Sequence, residues 1–303
     1  GYTIGGVIEP VIFMDAAMEK AARTAIGCEP DHVLYTNDLW QITELEVPSD
    51  AQTLEDLAHL TFLETLTVSG RNMSNLNDFS QLTHLKTLNL TGCRFPAESL
   101  STVAALPQLK ELTISGCGLS TLAGLELATS LESLDISNNT IRNLEVLSSL
   151  KELTQLHAAH NAITDLSVVG TLTKLTELDV SYNALQGIAP LSGCVRLETL
   201  NATNNQISDI STAAALPLLT ELNLDYNGLS DLSGLSGCAS LKTLTLSNNS
   251  IEDISPLAGL KTLERLDFSY NNVSQMPQFA ENSAMQVIDG SHNVLESIDA
   301  LRN

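Results

Sequence analysis

Basic residues are scarce in this sequence. Its 303 residues include 14 Lys and Arg against 36 Asp and Glu, which gives a formal net charge of −22. We therefore expect no binding of DNA or RNA, because affinity for phosphates needs clustered Lys and Arg. An anionic membrane surface would also repel the chain. The charge favours a protein partner with a basic surface, although acidity also serves solubility.

The sequence also lacks a long apolar run. No run reaches the length of a transmembrane helix, so we expect no direct insertion into a membrane. The chain starts with Gly1-Tyr2-Thr3 and has no basic segment there, so it does not begin like a signal peptide. We expect that this start was produced by processing or by engineering.

One pattern of eleven residues recurs along most of the chain, as in LTELDVSYNAL, which begins at Leu175. Its form is L-x-x-L-x-(L/I/V)-x-x-N-x-(L/I), and we number its positions from one to eleven. Eleven copies follow at intervals of 22 residues, with one interval of 24, and they start at Leu63, Leu85, Leu109, Leu131, Leu153, Leu175, Leu197, Leu219, Leu241, Leu263 and Met285. A weaker twelfth copy covers Ile42, Leu45 and Val47. Such a period predicts stacked coils.

This repeat resembles the leucine-rich repeat, whose period is roughly 20–29 residues. The resemblance implies an α/β fold: a right-handed solenoid, curved like a horseshoe, with short parallel strands on its concave face. The residues support it independently, because apolar positions one, four and six can form a core shared by neighbouring coils. The asparagine at position nine can donate and accept hydrogen bonds. We expect it to bind backbone groups of its own and the adjacent coil.

The first 62 residues break the period. Asp15 is a suitable N-cap for a helix through AAMEKAARTAI that ends at Gly27. The buried stripe predicted for this helix consists of Met18, Ala22, Ala25 and Ile26. A helical turn is expected over residues 37–41 and a first strand over residues 43–47.

This N-terminal segment resembles the cap of bacterial internalins. The matching residues are Val11, Ile12, Phe13, Asp15, Ala17, Ala22, Arg23, Ile26, Gly27, Asp38, Leu39, Ile42, Thr43 and Leu45. The turns IAPL at Ile188 and ISPL at Ile254 also match that family. The resemblance implies a helical N-terminal cap at residues 1–47 and a solenoid of about eleven 22-residue repeats at 48–303. We expect the C-terminal end either to be truncated or to be capped by its last irregular coils.

The internalin resemblance implies a non-catalytic, monomeric protein-interaction module that is secreted or lies on a bacterial cell surface and serves adhesion or host interaction. The alternative is a cytoplasmic regulatory scaffold that binds another protein such as a phosphatase, because phosphatase-regulatory leucine-rich-repeat subunits share the period. We expect the chain to have no enzymatic activity and to bind no cofactor. Ser137, His157 and Asp179 can be combined as a triad on paper, but no oxyanion site or deep pocket accompanies them.

The predicted binding surface is the concave face, which is polar and acidic. Its candidate residues are Asp135, His157, His160, Asp179, Tyr182, Asn201, Asn223, Asp225, Tyr226, Arg265, Asp267 and Tyr270. The three tyrosines occupy position eight of every second coil, beside the acids, and such a stripe suits a basic, partly apolar partner. The alternative is that tyrosine merely substitutes for asparagine at a tolerant position.

The segment LHAAHNAIT contains two histidines, His157 and His160, in an arrangement that looks like a metal site. The repeat places His157 on a strand and His160 in a turn, whereas zinc motifs of the HExxH type need both on one helix face. No metal is therefore expected. Stacking would put His157 between Asp135 and Asp179, either as a ladder that relieves acid repulsion or as a pH-sensitive or cation-binding spot.

Five cysteines are present, without the CxxC spacing of a zinc site. Cys93 and Cys117 take position nine in adjacent coils, where a disulfide is within reach. Two buried thiols that replace asparagine are the favoured alternative. Cys194 and Cys238 are predicted to fill the core.

Overall fold

A computed structural model describes residues 6–279 and 283–299. The first five residues of the predicted cap and the last four of the predicted solenoid lie outside the described residues. The chain divides into two compact units, residues 1–135 and 136–303. The predicted boundary between cap and solenoid after residue 47 stays a prediction.

The described part of the first unit, from residue 6 onwards, contains three helices and five parallel strands. The helices are α1 (Ala16–Ile26), α2 (Thr36–Leu39) and α3 (Leu100–Ala104), and the strands are β1 (Glu44–Glu46), β2 (Thr65–Thr67), β3 (Thr87–Asn89), β4 (Glu111–Thr113) and β5 (Ser133–Asp135). Each strand pairs with the next, and the leucines at position four are in register, from Leu45 with Leu66 onwards. β1 confirms the weak twelfth copy as a coil.

The second unit repeats one coil with little variation. Its strands are β6 (Gln155–His157), β7 (Glu177–Asp179), β8 (Thr199–Asn201), β9 (Glu221–Asn223), β10 (Thr243–Thr245), β11 (Arg265–Asp267) and β12 (Val287–Asp289). They are parallel, and the same position pairs in every coil. Short 3₁₀ turns, such as Ala189–Gly193 and Ser255–Leu257, return the chain from one strand to the next. The predicted leucine-rich-repeat coil is confirmed.

Two extra residues in the 24-residue interval change one return segment. Most return segments form a 3₁₀ turn, but this one forms a 3₁₀ turn at Ala97–Ser99 that continues into α3. Leu100, Val103 and Ala104 of α3 are buried, so the longer segment still fills the core. The strands on either side, β3 and β4, stay in register. The insertion is therefore absorbed away from the strands.

The helix α1 has the predicted ends but a narrower buried stripe. The Asp15 side chain accepts a hydrogen bond from the Met18 N–H at 3.0 Å, and Gly27 ends the helix at φ 77°. Met18 and Ala22 are buried as predicted. The prediction was wrong for Ala25, which is exposed, and Ile26 is only half-buried. Ala25 instead lines an open groove of about 480 Å³ between α1 and the segment around β1, so the core contacts only the middle of the helix.

The asparagine at position nine ties adjacent coils together. In Asn205 the side-chain N–H₂ group donates to the carbonyls of Val180, Ala202 and Thr203, and its Oδ1 accepts from the Leu185 N–H. Val180 and Leu185 belong to the preceding coil. The same bonds recur for Asn161, Asn183, Asn227, Asn249, Asn271 and Asn293. This confirms the predicted role of the amide as donor and acceptor between coils.

Cys93 and Cys117 occupy the same ladder position as free thiols. The Cys93 Sγ–H donates to the Val68 carbonyl at 3.3 Å, and the Cys117 Sγ–H donates to the Leu90 carbonyl at 3.1 Å. Each acceptor is the position-six carbonyl of the preceding coil, which is the carbonyl that asparagine binds elsewhere. A cysteine at this position thus provides one hydrogen-bond donor, as the asparagine amide does. It lacks the side-chain oxygen with which asparagine accepts an N–H of the preceding coil.

We expect only one of the five cysteines to react quickly with iodoacetamide in the folded protein. Burial raises the pKa of Cys117, Cys194 and Cys238 to about 11 and also raises that of Cys93, so thiolate is rare at these sites. Cys28 is the one partly exposed thiol. Intact mass measured at pH 8 should show one adduct, and unfolding in urea should release four more. A second rapid adduct, or a mass lower by two hydrogens, would contradict this assignment of free, buried thiols.

No helix among the described residues is long and apolar enough to cross a bilayer.

Candidate functional site

Position eight, directly before the ladder position, has a left-handed backbone in all eleven copies from Leu63 onwards. In the first unit the residues there are Gly70, Gly92 and Gly116, at φ 58°, 71° and 64°. In the second unit they are Asn138, His160, Tyr182, Asn204, Tyr226, Asn248, Tyr270 and His292, all at φ between 54° and 59°. This conformation is easy for glycine and tolerable for asparagine, but it is costly for a bulky side chain. The second unit nonetheless carries five rings there.

These five rings form an exposed line that we call the aromatic row: His160, Tyr182, Tyr226, Tyr270 and His292. Its three tyrosine side chains are 44 to 55% exposed. His160 stacks on Tyr182 and Tyr270 stacks on His292, each pair with ring centroids 4.1 Å apart and planes within 12° of parallel. Six coil steps separate the ends, so the row is roughly 29 Å long at about 4.8 Å per step.

The strain at position eight argues against the view that tyrosine is there by tolerance alone. A left-handed backbone costs an ordinary L-residue roughly 1–2 kcal/mol, and the repeat offers two residues, glycine and asparagine, that reduce this cost. About half of each tyrosine stays exposed, so burial offsets only part of this cost. Strained, exposed residues of this kind are typical of functional sites.

Tyr226→Asn is expected to raise the free energy of unfolding by about 1 kcal/mol, because asparagine accepts φ 55° more readily than tyrosine does. Tyr226 is the suitable site, because Asn204 and Asn248 flank it. The matched control is Tyr226→Ala, which removes the ring but keeps the strained backbone, and it should give no gain. Equilibrium unfolding in urea measures both variants. A Tyr226→Asn variant less stable than the wild type would show that the ring supports the fold.

Position five, read from the sequence as outward-facing charge, also stabilises the turn after each strand. The Oδ1 atoms of Asp179 and Asp267 each accept the N–H and the hydroxyl of the serine two residues later, at 2.6 to 2.9 Å. Asp289 binds Ser291 in the same way. The Oδ1 atoms of Asn201 and Asn223 accept the backbone N–H two residues later. One side-chain oxygen at each of these positions is therefore engaged in the fold.

Asp225 differs because it stands at position seven, where other coils have mostly Ser or Thr. Its Oδ1 accepts the Ser247 N–H of the next coil at 2.8 Å, and its backbone carbonyl accepts the Asn204 N–H of the preceding coil at 2.9 Å. Partial burial raises the pKa of Asp225, the bond from Ser247 opposes this, and the charge of Asp267 adds to the rise. Asp225 thus places a partly buried carboxylate directly before Tyr226 in the chain.

The register of β6 and β7 pairs His157 with Asp179, as the predicted stacking requires, but the imidazole contacts a different carboxylate. Its Nε2 lies 3.2 Å from Oε1 of Glu177, which is at position three of the next coil. The Asp179 carboxylate is turned towards Ser181 instead. Asp135 ends β5 in the first unit. The Nε2 atom of His157 and the Oδ1 atom of Asp179 therefore have partners outside the set of Ser137, His157 and Asp179.

Arg265 is the only arginine at position three, and it is exposed in β11 near Asp267. Elsewhere in the second unit this position holds Glu177, Glu221 and neutral residues. Among the described residues, no group of three or more His, Cys, Asp or Glu side chains is arranged to hold a metal ion.

The candidate residues predicted from the sequence did not include His292, which stacks on Tyr270, and the left-handed backbone was not predicted. A signal for the latter was present, because position eight is Gly, Gly, Gly and Asn in the four copies that precede His160. Gly and Asn are the residues that most readily take positive φ. That composition could have shown that tyrosine at this position carries a cost.

Family models described as leucine-rich repeats in two copies match residues 129–171, 173–215, 195–237, 217–259 and 239–303, and a single-repeat model matches 81–104. The chain belongs to the leucine-rich-repeat family. No curated protein matches it significantly in sequence.

Solved internalins from Listeria monocytogenes share the fold of this leucine-rich-repeat chain. Internalin InlF has 24% sequence identity and a TM-score of 0.81, and the match covers 99% of this chain and 96% of that one. Internalin C2 has 28% identity and a TM-score of 0.61, over 79% and 97%. The functional domain of InlJ, described as including a cysteine ladder, has 21% identity and a TM-score of 0.64, over 95% and 71%. The fold is internalin-like, as predicted.

Leucine-rich-repeat proteins are generally non-catalytic modules for protein–protein interaction, and the internalin-like fold supports that general role here.

Proposed function

We propose that this chain is a non-catalytic, monomeric protein-binding module that binds a partner with a basic surface through the aromatic row and the acidic strand positions beside it. The observation that carries this proposal is the row itself: five exposed rings at backbone positions that favour glycine and asparagine. Tyrosine provides a large contact area at a small entropic cost and is frequent among interface residues that dominate affinity.

The proposed contact surface combines the row with neighbouring polar groups. Asp225 directly precedes Tyr226 in the chain, and Asp179 and Asp267 end the strands that lead to Tyr182 and Tyr270. The further proposed contacts are His157, Asn201, Asn223 and Arg265. Asp135 belongs to the first unit, and we do not include it among the proposed contacts. The net charge of −22 adds a long-range attraction for a basic partner and disfavours nucleic acids.

We place this module outside the cytoplasm, as a secreted or cell-surface bacterial protein that serves adhesion or host interaction. The internalin-like fold supports this location. Fractionation of the native source, with detection of the chain by mass spectrometry, tests it. Recovery from the surface or the medium is expected. Recovery from the cytoplasm alone would favour the regulatory scaffold, which binds a protein such as a phosphatase.

Site-specific photo-crosslinking tests the binding surface. The full chain carries a benzoylphenylalanine in place of Tyr226 and is irradiated with proteins of the native environment. A covalent adduct that excess wild-type chain suppresses is expected. The matched control carries the same group in place of Leu218, which has similar exposure (47% against 55%) in a return segment of the same unit. No adduct at 226, or an equal adduct at 218, would refute the row as the binding surface.

The contribution of the acidic side chains to partner affinity is tested by replacing them with neutral ones. Asp179→Asn, Asp225→Asn and Asp267→Asn together keep the oxygens that accept backbone N–H groups but remove three charges. We expect affinity for the cross-linked partner to fall by about tenfold in low salt, and mainly through the association rate.

The matched control for this variant is the triple change of Asp165, Asp209 and Asp231 to asparagine. These exposed acids make the same bond to an N–H two residues later, but they lie in return segments. The control changes the net charge equally and should leave affinity within about twofold. If both variants lost affinity equally, the effect of the acids would come from the net charge of the chain and not from their place beside the aromatic row.

A further inference from the structure

The aromatic row has two gaps of the same size. Asn204 separates Tyr182 from Tyr226, and Asn248 separates Tyr226 from Tyr270. Where rings occupy adjacent coils they stack almost parallel at 4.1 Å, so a ring at this position covers the face of the next ring. An asparagine, which is shorter, leaves that face uncovered. Each gap is therefore a slot between two tyrosines that stand roughly 9–10 Å apart, two coil steps of about 4.8 Å.

The backbone N–H group at the floor of each slot already has a partner. The Asn204 N–H donates to the Asp225 carbonyl, and the Asn248 N–H donates to the Ser269 carbonyl. The walls of the slot are ring faces, and one more planar group between them would lie about 4.8 Å from each, within the usual range of stacking distances. The slots thus fit a flat side chain.

The charges around the slots select a cation. Asp225 borders both of them: its carbonyl binds Asn204, and its carboxylate binds the N–H of Ser247, the residue before Asn248. Asp267 ends the strand that leads to Tyr270, one wall of the second slot. Ring faces are themselves negative and attract cations. The guanidinium group of arginine is flat and always charged, whereas the ammonium group of lysine is not flat.

We propose that the two slots bind two arginine side chains of one partner segment, three residues apart in polyproline II conformation. This deepens the proposed function and rests on it. The slots are two coil steps apart, about 9.6 Å. A polyproline II segment repeats its face every three residues, about 9.3 Å. A strand places alternate residues only about 6.7 Å apart, and a helix places residues seven apart about 10.5 Å apart.

Fluorescence anisotropy with the full chain and labelled peptides tests the spacing and the chemistry. The probe contains the segment Arg-Pro-Pro-Arg. Its controls contain Lys-Pro-Pro-Lys and Arg-Pro-Arg, at the same net charge. We expect the first peptide to bind about tenfold more tightly than either control, because only it places a flat cation in both slots. Equal binding of the lysine peptide, or of the shorter spacing, overturns the proposal.

Filling a slot tests the site. Asn204→Tyr or Asn248→Tyr adds a ring where the repeat already accepts one in Tyr182, Tyr226 and Tyr270, and circular dichroism verifies folding. Each variant should weaken binding of the Arg-Pro-Pro-Arg peptide about tenfold. The control is Asn138→Tyr, which fills no slot between two tyrosines and should leave binding unchanged. Unchanged binding in both slot variants overturns the proposal.

The outcomes distinguish this inference from the proposed function. If benzoylphenylalanine at 226 captures a partner but the peptides bind equally, only the arginine slots are refuted. If neither the cross-link nor the peptides report binding at the row, the proposed function is refuted as well.

Discussion

Replacing Asn205 with alanine is expected to lower the free energy of unfolding by about 4 kcal/mol, because several buried backbone groups lose their partner at once. The side chain donates to three carbonyls and accepts one N–H, all at 3.0 to 3.3 Å, and it is almost fully buried. Water cannot replace these bonds without opening the contact between two coils. Stability in stacked repeats depends on such contacts between neighbours, so the loss weakens the second unit at its middle.

The chain itself supplies the matched control for this variant. Asn205→Cys should recover about 1 kcal/mol relative to alanine, since a thiol here can donate to the preceding coil as Cys93 donates to Val68. Urea unfolding followed by circular dichroism gives the midpoint and the slope. An alanine variant within 1 kcal/mol of the wild type would show that the amide bonds add little beyond what water supplies.

Asp56→Ala is expected to lower the free energy of unfolding of the first unit by about 3 kcal/mol, because two buried N–H groups lose a charged acceptor. The Asp56 carboxylate is fully buried and accepts the N–H groups of Met14 and Asp15 at 2.9 and 2.8 Å. Asp15 in turn caps α1 and accepts the Gln52 N–H at 2.6 Å. Asp56 thus connects the start of α1 to the first coil.

The matched control is Asp78→Ala, because Asp78 lies 22 residues later, in the corresponding return segment, and is exposed. It should change stability by less than about 0.5 kcal/mol. Hydrogen exchange should show the Asp56→Ala variant opening first at α1, where protection of residues 16–26 is lost before that of β3 and β4. Similar effects of the two substitutions would contradict the account of Asp56 as a buried connection.

The spacing of the repeats was enough to predict the strands and the ladder. Position four is leucine in all of the eleven copies but the last, which has Ile288, and it recurs every 22 residues with one interval of 24. A single strand assignment therefore fixes the register of all others, as Leu178 and Leu200 show. The Asn205 amide has both a donor and an acceptor, and it has a carbonyl and an N–H to bind in the preceding coil. These features follow from the repeat period and from the hydrogen-bonding groups of the side chains, and both can be read from the sequence.

The candidate site was predicted less well, because its details depend on side-chain directions. Asp179 faces outward in the repeat, but the sequence does not show that its oxygen turns back to Ser181. For the same reason His157 meets Glu177 rather than Asp179. The strain at Tyr226 was also hidden, since a repeat pattern assigns a position and leaves its φ angle unstated.

In this account, a tyrosine at position eight lowers the stability of the fold and at the same time provides the binding surface. Glycine fills this position in the first unit, and asparagine alternates with tyrosine through the middle of the second unit. If stability alone had set these residues, Asn would serve throughout. The binding account therefore implies that substituting asparagine for the row's tyrosines makes the protein more stable, or at least as stable, while it removes the binding surface.

The most direct test of the binding account is the affinity of the partner captured at position 226 for two forms of the full chain. Isothermal titration calorimetry compares the wild type with the variant in which Tyr182, Tyr226 and Tyr270 are all asparagine. We expect at least about a hundredfold loss of affinity, as for central aromatic contacts of an interface, with an unfolding midpoint no lower than that of the wild type. Equal affinity of the two forms would contradict the central claim that the aromatic row is the binding surface.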